Sequence, residues 1–208
     1  MKKRGLLVVI SGPSAVGKNT VLARFLASYP GSRYSISATT RKPRPGEIPG
    51  CSYYFYSREQ FTALLQKNQF LEWAQVYDEY YGTPVAPIED GLRQGEVIVM
   101  DLDVQGALAV RKRLSEAVLV FLLPPSVKDL KARMLKRGTE CPRAVDKRLT
   151  AAQKEIASAL DYDYLIVNDQ VAKATKQLTS VVEAEKMKVS RQSAYLEILA
   201  EGGTIGNC

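Results

Sequence analysis

The sequence predicts an α/β fold, a parallel sheet core with helices on both faces, interrupted by a smaller α+β unit. Three observations predict it. Continuous apolar runs recur at Leu6 to Ser11, Val97 to Met100, Val118 to Leu123 and Tyr164 to Val167. Segments with helical spacing alternate with them. One stretch, from Thr39 to about Gly95, differs in texture and is rich in Pro, Gly and Tyr. Unbroken apolar runs suit strands covered on both faces, and strands alternating with helices imply parallel pairing.

The elements follow in chain order. Leu6 to Ser11 reads as a central strand closed by Gly12-Pro13. A helix is expected from Lys18 to about Tyr29, because Val21, Leu22, Phe25 and Leu26 share one face. A second strand is expected at Tyr34 to Ser37. Short alternating runs such as Tyr53-Tyr54-Phe55-Tyr56 mark residues 39–95 as the inserted unit, leaving 1–38 and 96–208 as the core. Most aromatics of that unit are expected in its own core, with Tyr53 and Tyr81 as exceptions. Helices are expected at Val104 to Arg113, Val127 to Arg137 and Arg143 to Leu160. Ser126 is placed to cap the second of these, with Asp129 in its first turn. A last helix should run from Val171 toward Lys188 or beyond, before a loose tail, Gly202 to Cys208. Ligands belong at the carboxyl ends of such strands.

Composition narrows the function classes. The chain has 208 residues, 46% of them hydrophobic, and 29 Lys and Arg against 22 Asp and Glu give a net charge of +7. Such a balance suits nucleic acid or small polyanions, and the basic residues are dispersed rather than gathered in a tail. There is no histidine, so imidazole has no catalytic role here. Cys51, Cys141 and Cys208 form neither a disulfide framework nor a metal pattern. The apolar run after Arg4 is too short for a signal segment or a bilayer span, and the expected compartment is the cytoplasm.

Gly12-Pro13-Ser14-Ala15-Val16-Gly17-Lys18 fits G-x-x-x-x-G-K between a strand and a helix. Glycines let the backbone curl so that its N–H groups point at phosphate oxygens, and the helix N-terminus adds to the field. Lys18 can set its charge against the β- and γ-phosphates of a nucleoside triphosphate. The next position usually carries the hydroxyl that meets Mg²⁺. Here it is Asn19, so Thr20 becomes the metal candidate. Asp101 and Asp103 follow the strand ending at Met100, where carboxylates can hold Mg²⁺ or its waters; an ordinary solvated strand end is the plainer alternative.

Ser37 to Glu47 carries Arg41 and Arg44, three residues apart in a proline-stiffened segment. Two guanidinium groups can clamp one phosphate dianion, although composition alone allows a basic surface loop equally well. This stretch resembles the signature of guanylate kinases. So do Gly50-Cys51-Ser52-Tyr53-Tyr54-Phe55, Phe70-Leu71-Glu72-Trp73, Tyr80-Tyr81-Gly82-Thr83, Asp101-Leu102-Asp103-Val104-Gln105-Gly106, Arg137-Gly138-Thr139-Glu140 and Val167-Asn168-Asp169. The blocks keep the family's order and spacing from about Leu6 to Lys186.

The resemblance implies a P-loop NTPase-type core with an inserted GMP-binding unit and a small lid at about 138–146. It implies Mg-dependent transfer of the γ-phosphoryl of ATP to GMP, and to dGMP. Arg41, Arg44, Tyr53 and Tyr81 would bind the GMP phosphate, and Ser37, Glu72 and Thr83 would read guanine, with Asp101 and Asp103 nearby. Gly12 to Thr20, Arg133, Arg137 and Asn168 would bind ATP. Arg133, Arg137, Arg143 and Arg148 bracket Gly138 to Pro142, the expected lid. The residues expected to act on the transferring group and its acceptor are Lys18, Arg41, Arg137 and Arg148. Thr20 and Asp101 would meet the metal. Non-catalytic interaction modules of the same fold, and kinases for other phosphorylated small molecules, remain the alternatives. Lys18, Arg137 and Arg148 argue against the first, and the guanine-reading set argues against the second.

Overall fold

The computed structural model describes residues 4–136 and 142–204. In chain order the elements are β1 (Leu6–Ser11), α1 (Lys18–Ser28), β2 (Ser32–Tyr34), β3 (Ala38–Thr39), β4 (Tyr54–Phe55) and α2 (Arg58–Gln66). Next come β5 (Phe70–Val76), β6 (Glu79–Pro84), α3 (Val85–Gln94), β7 (Val97–Asp101), α4 (Val104–Arg113) and β8 (Val118–Leu123). The last are α5 (Val127–Lys136), α6 (Pro142–Ala157), a 3-10 turn (Ser158–Asp161), β9 (Tyr164–Val167), α7 (Val171–Lys186) and α8 (Val189–Ala200).

Five parallel strands form the main sheet in the order β2-β7-β1-β8-β9. All six residues of β1 are buried, because both faces of the sheet are covered. Leu6, Val8 and Ile10 pack with Val21, Leu22 and Phe25 of α1 and Ala174, Leu178 and Val182 of α7. Leu7 and Val9 point the other way, onto Ile88 and Leu92 of α3 and Ala107 and Val110 of α4. The two-residue period of a strand thus feeds two cores, which is why β1 reads as an unbroken apolar run. Burying each such Leu, Ile, Val or Phe side chain contributes roughly 1.5–3 kcal/mol.

The smaller sheet has the order β4-β3-β6-β5. Ala38, Phe61 and Phe70 form its core, with Tyr54, Tyr56 and Tyr80 packed around them. The Phe61 and Phe70 rings stack with centroids 4.2 Å apart. A capping box fixes the start of α2: the Ser57 hydroxyl accepts from the Gln60 N–H and the Gln60 amide accepts from the Ser57 N–H. Two features anchor this unit to the main sheet. Arg113 of α4 donates to the carbonyls of Asn68 and Phe70, and Leu71 is buried in the α3–α4 core.

Three sequence expectations are corrected. The strand expected at Tyr34 to Ser37 lies earlier, at Ser32–Tyr34, where it pairs with Val97, Ile98 and Val99. After Tyr34 the chain leaves the main sheet to reach β3. The helix expected to end at Leu160 gives way to the 3-10 turn after Ala157. The last helix stops at Lys186, and a separate α8 follows. The expected Ser126 cap is present: its hydroxyl accepts from the Asp129 N–H at 3.0 Å. Residues 142–146 of the expected lid are the first turns of α6, and 137–141 lie outside the described residues, as does the tail from 205. Among the described residues no helix is long and apolar enough to cross a membrane.

Candidate functional site

The turn after β1 is built for close approach of an anion. Gly12 (φ 148°) and Gly17 (φ 99°) adopt backbone conformations that side chains disfavour. A Cβ on Gly12 would lie 2.4 Å from the Leu122 carbonyl oxygen, and one on Gly17 would lie 2.6 Å from Asn168 Nδ2. Both motif glycines are therefore demanded by neighbouring strands and loops as well as by the turn. Gly17 caps α1, so the helix begins at Lys18 with its N–H groups facing the loop.

This loop, residues 12–20, lines a cavity of about 380 Å³ with Asp101, Leu102, Asp103 and Glu155. Lys18 Nζ donates to the Gly12 carbonyl at 2.7 Å and stands 3.8 Å from Asp101 Oδ1. Burial pushes the Asp101 carboxyl up, and the Lys18 charge opposes that. Asp103 is a helix cap: its carboxylate accepts from the Gly106 N–H at 2.8 Å while the residue still borders the cavity. Thr20, the metal candidate, lines the same cavity as Asp101. Among the described residues no group of three or more His, Cys, Asp or Glu side chains could hold a metal by itself. A carboxylate and a hydroxyl beside a phosphate loop fit Mg²⁺ brought in with a triphosphate, since that ion keeps waters and phosphate oxygens as ligands.

A second cavity, of about 290 Å³, shares Ala15, Gly17 and Thr20 with the first and adds Arg133, Asn168, Asp169 and Val171. Arg133 bridges two carbonyls, Val16 at 3.0 Å and Asn168 at 2.9 Å. Asn168 Nδ2 donates to the Val16 carbonyl at 2.8 Å, which leaves its buried Oδ1 without a protein partner among the described residues. Arg148 lies on α6 two helical turns before Glu155, on the same side of that helix. Arg137 falls outside the described residues.

The small sheet gathers the acceptor-side residues from four separate segments. β3 and β6 pair Thr39 with Tyr81 and Ala38 with Gly82, which brings the end of the Ser37 segment beside Tyr81 and Thr83. Across β5, the buried Thr83 hydroxyl donates to Glu72 Oε1 at 2.6 Å. Glu72 is half-buried, and burial raises its carboxyl above the ordinary range against the pull of the Thr83 hydrogen bond. Arg41 stands over the Tyr53 ring at 5.5 Å and the Phe55 ring at 5.9 Å, and Tyr81 lies within hydrogen-bonding reach of its guanidinium. Arg44 is exposed, and its backbone N–H donates to Glu47 Oε2 at 2.7 Å. Phe55 corrects the expectation for the aromatics. It packs against Tyr53 and Arg41 rather than in the Phe61–Phe70 core, because alternation along β4 turns Tyr54 inward and Phe55 outward.

Glu155 and Tyr34 carry no motif signal, whereas Glu47 closes the segment that holds Arg41 and Arg44. Glu155 borders the phosphate-loop cavity, where burial raises its carboxyl and Lys18 lowers it. The Tyr34 hydroxyl is pushed up to about 12 by burial and then by the nearness of Asp101 and Tyr53. Glu47 forms a bidentate ion pair with Arg41.

A sequence model described as guanylate kinase matches residues 4–185. The chain is 47% identical over 205 residues to a guanylate kinase of Symbiobacterium thermophilum, covering 98% of this chain and 97% of that protein. It is 43% identical to one of Caldanaerobacter subterraneus, over 97% of this chain and 98% of that protein. The crystal structure of guanylate kinase from Anaplasma phagocytophilum superposes with a TM-score of 0.70 at 31% identity, covering 91% of this chain and 90% of that one.

Proposed function

This chain belongs to the guanylate kinase family, and we propose that its two halves seat ATP and GMP end to end for transfer of the γ-phosphoryl, dGMP serving as an alternative acceptor. The phosphate loop, residues 12–20, takes the ATP phosphates on its backbone N–H groups, with Lys18 leaving Asp101 to meet the β- and γ-phosphates. Arg133 and Asn168 border the adenine end. The unit at 39–95 takes GMP, with its phosphate on Arg41, Arg44, Tyr53 and Tyr81 and its base on Ser37, Glu72 and Thr83. Residues 138–146 act as a lid that carries Arg137 and Arg148 to the transferring group.

The observation that carries the acceptor assignment is the Glu72–Thr83 pair. Guanine presents N1–H and its 2-amino group side by side, both donors. A carboxylate held by one hydroxyl keeps acceptor sites for both. Adenine has no N1–H and leaves a desolvated carboxylate unpaired, and sites built this way reject the wrong ligand by ~10⁴ or more.

The acceptor needs no general base. A phosphate monoester has a second pKa of about 6, so near neutrality its attacking oxygen carries no proton. Catalysis then rests on in-line positioning and on neutralising charge with Lys18 and the arginines. Thr20 and Asp101 are the residues that would hold Mg²⁺, which when bound with ATP screens the β- and γ-phosphate charge. Arg41 and the lid arginines hold donor and acceptor together and keep water from the reacting phosphorus. Turnover measured by ADP release across GMP, dGMP, AMP and ribose phosphates tests the assignment. GMP and dGMP should be turned over, and equal rates with AMP would remove Glu72 from its role.

A further inference from the structure

The phosphate-loop cavity suits a polyanion, yet three of its lining residues are carboxylates, Asp101, Asp103 and Glu155, against one cation, Lys18. The loop and its neighbours account for two of the three. Asp101 Oδ1 stands 3.8 Å from Lys18 Nζ, and Asp103 caps α4 by accepting from the Gly106 N–H at 2.8 Å. Glu155 has no hydrogen bond among the described residues and feels Lys18 only through space. Its place is nonetheless fixed. Val145 and Ala152 of α6 are buried against Leu130 and Met134 of α5, and Ala15 of the phosphate loop packs on the same cluster. Glu155 follows Ala152 by three residues, so it stands on the adjoining turn, half-buried over the cavity. Burial raises its carboxyl, Lys18 pulls it down and Asp103 adds to the rise. A carboxylate held where its charge is disfavoured, and where phosphates would repel it, calls for a cation between the two.

We propose that Glu155 is a positioning residue for the Mg²⁺ that arrives with ATP, accepting hydrogen bonds from water on the ion while Thr20 and Asp101 lie closer to it. This rests on the assignment of the loop to the ATP phosphates. Mg²⁺ gives up its waters reluctantly, and those waters are the donors that an unpaired carboxylate lacks. Arg148 lies seven residues earlier on the same side of α6. The contact therefore also holds the helix that carries Arg148 while the metal and nucleotide are in place. The opposite role, a carboxylate that merely repels nucleotide from the loop, predicts effects of the opposite sign.

The test is calorimetry of the β,γ-imido analogue of ATP on wild type, Glu155→Gln and Glu155→Asp, with excess Mg²⁺ and again with a chelator, and with GMP titrated alongside. Glu155→Gln should weaken binding of the Mg²⁺ complex about tenfold. The metal-free analogue should bind it as well as wild type or better, and the Kd for GMP should not move. Glu155→Asp keeps the charge on a shorter arm and should fall between. Unliganded Glu155→Gln should melt no lower than wild type at pH 7, since the carboxylate is disfavoured in the empty cavity. An unchanged or tightened Mg²⁺ complex would overturn the proposal. So would an equal weakening with and without metal, or a lower melting temperature, since either makes Glu155 a residue that only supports the fold. If Glu155→Gln does not fold, Glu155→Asp carries the test: a weakened Mg²⁺ complex with unchanged metal-free binding supports the proposal, and equal affinities overturn it. A wild type that binds the analogue in neither form would remove the assignment of the loop and the proposal with it, which separates the two failures.

Discussion

Glu72→Gln is the perturbation with the clearest arithmetic. Thr83 occupies one acceptor position of the Glu72 carboxylate at 2.6 Å. Two carboxylate oxygens offer about four acceptor positions, which leaves room for both donors of guanine. Glutamine keeps one oxygen and sets an NH₂ where the second would be, so a donor meets a donor. One charge-assisted hydrogen bond, worth about 1.5–3 kcal/mol, is lost, and the mispaired donor costs about 1–3 kcal/mol more. A sum of ~2.5–6 kcal/mol lowers kcat/KM for GMP by about 10²–10⁴. AMP loses nothing by the change, so the preference for GMP over AMP shrinks by a similar factor. The assay is ADP-coupled turnover with both acceptors at matched ATP. If kcat/KM for GMP barely changes and the preference survives, Glu72 does not read the base.

The same variant tests the cost of holding that carboxylate in a half-buried place. Because burial raises the Glu72 carboxyl, the folded state binds its proton more tightly than the unfolded chain does, and stability falls as pH rises through the folded value. Glu72→Gln should therefore melt above wild type at pH 7, with the difference vanishing below about pH 4, as thermal scans across pH would show. Lys18→Ala should lower kcat by about 10³ or more while calorimetry finds GMP binding intact, since Lys18 lies in the phosphate-loop cavity and not among the acceptor residues. Gly17→Ala should weaken ATP binding and destabilise the fold by roughly 1–3 kcal/mol in urea titrations, because φ is 99° there and the new Cβ would meet Asn168 Nδ2.

The parts of the fold that sequence reveals are those whose cause is local. β1, β7 and β8 are buried on both faces, so their apolar runs are unbroken. The phosphate loop is legible because its glycines and lysine act within one turn. β2 is misplaced for the converse reason: Ser32-Arg33-Tyr34 has no apolar period, and its position comes from pairing with Val97 to Val99 and from the Arg33–Glu96 ion pair. The helical pattern runs through Met187 and Lys188 without marking the break before α8. The residues proposed to take the acceptor come from segments near 40, 53, 72 and 82, and no period or spacing joins them; only the likeness to a known family collected them. Glu155 belongs to the site solely because α6 is laid over the phosphate loop, a contact that no stretch of α6 announces.

Phosphorus NMR of ATP, Mg²⁺ and GMP with the purified protein tests direct transfer most plainly. The account predicts that the β-phosphorus signal of GDP grows in step with loss of the ATP γ-signal, without inorganic phosphate. Inorganic phosphate rising in place of GDP, or an ATP signal indifferent to GMP, would contradict it.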